Sequence, residues 1–341
     1  MIANQQRESM AEATIRDVAR RAEVSVASVS RVLNRLDNVS DRTRERVVAA
    51  VAELGYVPHA GARSLSLART GAIGVVLPNL HGEFFSEIVR GMDRIATERG
   101  YLLLLSNMHT HSGEAEAVLK AMRGRVDGLI VMAPHLEDEQ FAKALPGGTP
   151  AVLVNTHTTI AGRPGIRLDN SAGARAVTDH LVAIGRRRIV HIAGPVGNID
   201  AEERAAAFRD ALAAHPDIQS EIVQGNFYEE SGADAVSALI AGQHGFDAIF
   251  AANDMMAIGA LAALRDKGIK VPDDVAVAGF DDVPLASHLR LTTVRVRIAE
   301  LGERAIERLI DLLEGKADDA EELHAPELVI RGSTNAEEPI A

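Results

Sequence analysis

No cysteine occurs among the 341 residues, so the chain has no disulfide framework, no thiolate metal site and no cysteine nucleophile, a composition that fits a reducing compartment. No run approaches eighteen apolar residues, and the opening MIANQQRESMAEAT lacks the apolar stretch of a secretion signal. The expectation is a cytoplasmic protein with no membrane segment. Enzymatic signatures are missing as well: there is no G-x-G-x-x-G after a strand, no G-x-x-x-x-G-K-[ST], no H-E-x-x-H and no G-x-S-x-G. His109 and His111 could be two metal ligands, but no third is placed, and a solvated loop is the simpler reading. No catalytic residue, cofactor or metal is expected.

What is present is ordinary for a globular chain of two or three domains: 47% hydrophobic and 25% charged residues. The charge is uneven. Residues 1–69 hold eleven Arg, no Lys and eight Asp or Glu, a surplus of three positive charges, whereas the remainder holds 25 basic and 40 acidic residues, a deficit of fifteen. The net charge of −12 therefore belongs to the body. A basic head on an acidic body approaches a polyanion head-first.

Within the head, Thr14 and Asp17 have capping-box spacing, and Ile15, Val18, Ala19 and Ala22 recur at helical period. Glu23 and Val24 make a tight connection, and Ser25 caps a second helix with Val29, Val32 and Leu33 inward. Val26, Ala27, Ser30, Arg31 and Asn34 face outward. Ser40 starts a third helix through Val47, Val48, Val51 and Leu54, ended by Gly55 and Pro58. This is a helix-turn-helix unit whose second helix shows a small, polar face with an Arg and no carboxylate, suited to a major groove.

The stretch TIRDVARRAEVSVASVSRVLN, followed by VSDRTRERVVAAVAELGYVPHAGARSL, resembles the headpiece and hinge of the lactose/galactose repressor (LacI/GalR) family of bacterial transcription regulators. The resemblance implies that Val26, Ala27 and Arg31 face base edges, while Thr14, Ser25, Ser28, Ser30 and Asn34 serve the DNA backbone or helix caps. Val26 and Ala27 are apolar where relatives often place hydrogen-bonding side chains, so direct readout there is expected to be thin. HAGARSL (59–65) matches the family's hinge helix, with His59 and Arg63 on it and Leu65 as the wedge that, paired with its dimer mate, kinks the minor groove. His59 stands where the family usually has Asn, and Gly61 costs a helix about 1 kcal/mol against Ala. The hinge is expected to be disordered without DNA.

From Gly71 the pattern alternates short apolar runs with amphipathic stretches, the signature of parallel sheets flanked by helices. Strands are predicted at 72–78, 101–107, 128–134 and 151–155, and again at 188–194, 220–226, 247–253 and 275–280. Four and four suggests a duplication into two lobes. Ligands bind beyond the carboxyl ends of such strands. There stand Asn79, Asn107, Asn155, Asn253-Asp254 and Asp281-Asp282, each also a plausible helix cap, with Phe84, Phe85, Phe227 and Phe280 as an aromatic wall. Of Phe84 and Phe85, one is expected in the cleft and one in the core.

The same family resemblance runs through residues 14–335 and implies a periplasmic-binding-protein-like core of two α/β lobes. It places Arg204, Asp200, Asn253, Asp281 and Phe227 in an effector site, to which Asn79, Phe84, Phe85 and Asn155 are added by position. The expected organisation is a disordered stretch at 1–13, the all-α headpiece at 14–58, and a hinge at 59–70. A first lobe at 71–168 with about 297–325 and a second at 169–296 with about 326–341 complete the chain. After Glu314 no leucine heptads suggest a tetramerising coil. The implied function is a ligand-responsive, sequence-specific regulator. It would be a homodimeric repressor of a catabolic operon, with pseudo-palindromic double-stranded operator DNA and a sugar or sugar derivative as partners; corepression is the same coupling with opposite sign. The rival is a periplasmic-type sugar-binding protein, which would need a secretion signal and has no use for residues 14–65.

Overall fold

The computed structural model describes residues 13–34, 39–57, 69–108, 114–134, 143–145, 147–156, 160, 162–316 and 320–335. Expectations for residues 1–12, for His59, Arg63 and Leu65 of the hinge, and for His109 and His111 lie outside the described residues. Two compact units divide the chain, Met1–Gly71 and Ala72–Ala341.

The first unit holds helices α1 (Ile15–Ala22), α2 (Val26–Leu33) and α3 (Asp41–Leu54). Thr14 and Asp17 form the capping box in full, and Ser25 and Ser40 cap α2 and α3 by accepting from the amides of Ser28 and Thr43. Each cap satisfies an amide that the first turn leaves without a partner. Gly55 ends α3 at φ 59°, a left-handed conformation that glycine adopts without steric cost. Val18, Val29 and Val47 close a core of valines and alanines with Tyr56. Val48, on the same predicted helical stripe, is instead 58% exposed; Ala50 takes the inward position.

The second unit contains two parallel sheets. The first has the order β11-β5-β4-β3-β1-β2, with β1 (Ala72–Leu77), β2 (Leu102–Asn107), β3 (Gly128–Met132), β4 (Ala151–Val154), β5 (Gly165–Leu168) and β11 (Glu322–His324). The second has the order β7-β6-β8-β9, with β6 (Arg188–Ala193), β7 (Gln219–Gln224), β8 (Ala248–Ala251) and β9 (Ala276–Ala278). β2-β1-β3-β4 and β7-β6-β8-β9 are the same order written twice. In each, β1 or β6 reverses the winding, which opens a crevice at the carboxyl ends. β1, β3 and β4 are buried along their whole length, as strands covered on both faces by helices must be.

Two strands of the first sheet were not among the predicted runs. β5 lies at the predicted lobe boundary, and β11 returns from the far end of the sequence to pair with it. A short antiparallel pair, β10 (Thr293–Arg295) with β12 (Glu327–Val329), lies beside the other connections between the sheets. The chain thus passes from one sheet to the other after β5, after β10, and between β11 and β12.

Helices flank both sheets: α4 (Glu83–Glu98), α5 (Glu114–Met122), α6 (Asn170–Ala183), α7 (Ile199–Leu212), α8 (Glu229–Ala241), α9 (Asp254–Asp266), α10 (Pro284–His288) and α11 (Ile298–Leu313). Each half has a helix pair in backbone contact. A methyl group at Gly91 of α4 would collide with the Ala299 carbonyl of α11, and one at Gly259 of α9 with the Glu229 carbonyl of α8. Ser333, near the end of the described chain, bonds Val277 of β9 through both its backbone carbonyl and its hydroxyl.

Candidate functional site

The carboxyl ends of both sheets open on one cavity of about 540 Å³. The ends of β1–β4 and β6–β9, or the segments that follow them, each contribute to its wall. Asn79, Phe84, Phe85, Asn155, Asp200, Arg204, Phe227, Asn253 and Asp281, the residues expected from sequence, all line it.

Arg204 is not a helix-surface residue. It is 4% exposed, and its guanidinium lies 3.7 Å over the Phe280 ring. Its Nε donates to Asn170 Oδ1 at 2.8 Å, its Nη1 donates to the Ala252 carbonyl, and Asp281 faces Nη1 at 3.8 Å. Asn170 in turn donates to Asp200 at 2.8 Å and to Glu203 at 3.0 Å. One amide at the start of α6 therefore orients both the arginine and a carboxylate of the cavity. Burial pushes the Asp281 carboxyl up to about 7, opposed by Arg204 and assisted by the charge of Asp200. The neighbouring Asp254 is fully buried, and burial with the charge of Asp281 raises it well above the carboxylate range.

Amides complete the floor and mouth. Asn155 is 3% exposed; it donates toward Asp200 at 3.5 Å, and its Oδ1 accepts no hydrogen bond. Asn253 caps α9 through its Oδ1 and donates to the Phe227 carbonyl at 3.0 Å. At the mouth, Asn79 donates to the Tyr228 hydroxyl at 2.7 Å, joining the segment after β1 to the segment after β7. Asn155, Phe227 and Asp281 have φ of 47°, 71° and 115°. Backbone in this region is uncommon for non-glycine residues and clusters at binding sites.

Some expectations need correction. Phe280 does not join the wall: it is fully buried, its ring covered by the Arg204 guanidinium and packed against Gly173, where a side chain would collide with it. Phe84 and Phe85 do not divide between cleft and core; both line the cavity, edge to face at 5.3 Å, and both also touch the core. Asp254 and Asp282 are structural. Asp254 accepts from Thr293 and from the Val283 amide, and Asp282 holds Arg295 at 2.6 Å and Arg331 at 2.7 Å. Sequence reasoning missed Asn198, Tyr228, Met132 and Met255 in the wall, and Asn170 behind it. It also missed Pro78, Pro134 and Pro195, though all three stand within two residues of a strand end, a repetition visible in the sequence.

In the first unit, α2 shows its expected outer face: Val26 is 41% exposed, and Ala27 and Arg31 are exposed beside it. Ser25 and Ser28 exchange a hydroxyl bond at 2.9 Å, and Asn34 donates to Ser30 at 3.3 Å. Thr14 is exposed at the start of α1, where its side chain is taken by the capping box. Glu23 and Glu53 are paired with Arg46 and Arg21.

A helix-turn-helix unit joined in one chain to a two-sheet ligand clamp defines a ligand-responsive DNA-binding regulator. Residues 14–59 match the pattern of bacterial regulatory proteins of the lacI family, and residues 178–334 that of the periplasmic binding protein-like domain. The chain is 34% identical over 329 residues to the ribose operon repressor of Halalkalibacterium halodurans, covering 95% of this chain and 98% of that protein. It is 35% identical to the HTH-type transcriptional regulator GalR of Salmonella typhimurium, covering 95% and 96%. Among solved structures, the lac repressor dimer bound to operator and the anti-inducer ONPF superposes with a TM-score of 0.83 at 32% identity, over 94% of this chain and 99% of that one. The chain belongs to the lacI family: it is a ligand-responsive DNA-binding repressor and not an enzyme. Among the described residues no helix is long and apolar enough to cross a membrane.

Proposed function

We propose that the protein is a cytoplasmic, homodimeric repressor of a sugar-utilisation operon, displaced from a pseudo-palindromic operator when a sugar or sugar derivative fills the cavity. The observation that carries this reading is that charges, amides and rings from both sheets converge on one cavity. Three chain crossings connect those sheets, so a ligand touching both sides biases their relative orientation. The first lobe is residues 71–168 with about 297–325, and the second 169–296 with about 326–341.

On the operator, Val26, Ala27 and Arg31 face base edges. Thr14, Ser25, Ser28, Ser30 and Asn34 hold the backbone or the helix ends, and His59, Arg63 and Leu65 act from the hinge. The dimer forms through the first lobe. Leu102, Leu104 and Leu105 support this: they are exposed on β2, an edge strand, where an uncovered apolar row invites association.

The test uses an operator selected from random duplexes. Affinity should fall steeply with salt, each phosphate contact adding about 0.9 to the log–log slope; a flat dependence removes the DNA reading. Ala at Arg204 or Asp281 should abolish the effector response while sparing operator binding. An unchanged response would place the effector elsewhere.

A further inference from the structure

We propose that the cavity is built for a neutral glycoside of two rings, and that it rejects phosphorylated and carboxylated sugars. The polyhydroxylated ring is held by Asp200, Arg204, Asn155 and Asp281, and the second ring lies on Phe84 and Phe85. This rests on the cavity being the effector site.

Charge decides the first part. Among the described lining residues Arg204 is the one arginine or lysine, and Asp200 and Asp281 line the same wall. The guanidinium is already committed to Asn170, to the Ala252 carbonyl and toward Asp281, with its face covered by Phe280. Glu203 stands behind Asn170. A phosphate would bring negative charge beside Asp200, Asp281 and Glu203, which outnumber the one guanidinium, and that guanidinium already faces Asp281, so the phosphate's desolvation would be poorly compensated.

Hydrogen-bond polarity decides the second part. Asp200 is an acceptor, Asp281 is one when ionised, and the buried Asn155 Oδ1 accepts no hydrogen bond. An acceptor left in this state asks for an O–H. Vicinal hydroxyls supply donors to these oxygens while accepting from the remaining N–H groups of Arg204. A nucleobase offers fewer donors, set in its ring plane.

Size decides the third part. One hexose fills roughly 200 Å³ at interior packing density, well short of the 540 Å³ available. Part of the remaining wall is aromatic: Phe84 and Phe85 form an edge-to-face pair on the first turn of α4, a surface for the apolar face of a second ring.

The experiment is calorimetric titration of the full-length protein. The probes are lactose, cellobiose, maltose and melibiose, nitrophenyl glucosides and galactosides, free glucose and galactose, phosphorylated hexoses and gluconate. At least one two-ring neutral glycoside should bind about tenfold tighter than its free hexose, with the anions below detection. Disaccharide and nitrophenyl arms distinguish a sugar from an aryl second ring. Phe84→Leu and Phe85→Leu, which keep apolar volume, should lower glycoside affinity more than hexose affinity and so erase the preference for two rings. Tighter binding of an anion, equal binding of hexose and glycoside, or no binding across the panel overturns the proposal. In that last case, operator release by some other ligand, lost in Arg204→Ala, leaves the regulator reading standing. A response that survives Arg204→Ala defeats the reading itself.

Discussion

The two halves of the second unit bring different chemistry to one cavity. From the ends of β1–β4 and the segments after them come Pro78, Pro134, Phe84, Phe85, Met132 and the amides of Asn79, Asn107 and Asn155; those of β6–β9 bring the charges of Asp200, Arg204 and Asp281 together with Phe227, Tyr228 and the amides of Asn198, Asn226 and Asn253. Strand order is the same in both, so topology is not the source of the difference. The charged half is held by buried hydrogen bonds through Asn170. The apolar half is held by packing, which tolerates exchange of one apolar group for another. The charged half therefore sets most of the polar recognition, joined by Asn155 from the other half, whose Phe84 and Phe85 set the size of ligand accepted.

The sharpest way to break this comparison is Arg204→Ala. It strips Asn170 Oδ1 and the Ala252 carbonyl of their donor and leaves Asp281 facing no cation. Loss of one partner of a buried charged pair costs about 3–5 kcal/mol of stability, and the ligand loses a charged donor worth up to about 3 kcal/mol, so effector affinity should fall by about a hundredfold. Titration calorimetry reads the affinity and denaturant melts the stability. A tenfold loss or less would mean that recognition does not reside in the charged half.

Next in size is the pH dependence of Asp281. Its folded value of about 7 lies above the ordinary 3.8, so the folded state binds the extra proton. The stabilisation is complete below pH 4 and is lost as pH rises toward 7, at most about 4 kcal/mol for a shift of about three units. His191 acts in the opposite sense. Burial lowers it to about 4, so its contribution is lost as pH falls below about 6.5. The two overlap, and the difference between the wild type and Asp281→Asn isolates Asp281. Arg204, Asp200 and Asp254 face this group. An effector hydroxyl that donates to the carboxylate should bind roughly tenfold tighter at pH 8 than at pH 6, a dependence absent in Asp281→Asn. A wild-type affinity flat over that range would show that Asp281 does not accept from the ligand.

Gly91→Ala and Gly259→Ala probe the two halves at equivalent helix pairs. Each forces apart helices in backbone contact, for an expected loss of about 1–3 kcal/mol. Gly91→Ala disturbs the helix that carries Phe84 and Phe85, so it should also weaken the effector. Gly259→Ala lies farther along α9 from Asn253 and should weaken it less. Equal losses of affinity would show that the halves respond alike.

Sequence periodicity made the helices and the eight long apolar runs legible because their signals are local. Thr14, Ser25, Ser40 and Gly55 mark their own helix ends. β5 and β11 escaped because Gly165–Leu168 and Glu322–His324 are short, carry Arg167 and Glu322, and pair across about 150 residues of chain. The cavity was legible where a polar residue follows a strand, since every parallel strand points its carboxyl end there. It was not legible at Asn170, which acts through Arg204 and Asp200 from a helix start. Nor was it legible at Phe280, whose position past a strand looks like that of Phe227 until the fold turns it inward.

The smallest effect tests how the halves are joined at the mouth. Asn79 belongs to one and Tyr228 to the other, and their hydrogen bond at 2.7 Å spans the entrance. Asn79 Oδ1 also accepts from the amides of Leu80 and His81, so Asn79→Ala loses a local turn as well as the bridge. Tyr228→Phe removes the bridge alone and keeps the ring against His81, whose centroid lies 4.9 Å away. A partly exposed neutral bond contributes about 1 kcal/mol, so Tyr228→Phe should change effector affinity about fivefold. The double variant should show a coupling of similar size. Affinity should fall if the bridge stabilises the ligand-holding arrangement, and rise if a ligand must first part the two residues. A coupling within about 0.3 kcal/mol of zero would mean that the mouth does not join the halves energetically and that their contact is made in the cavity wall.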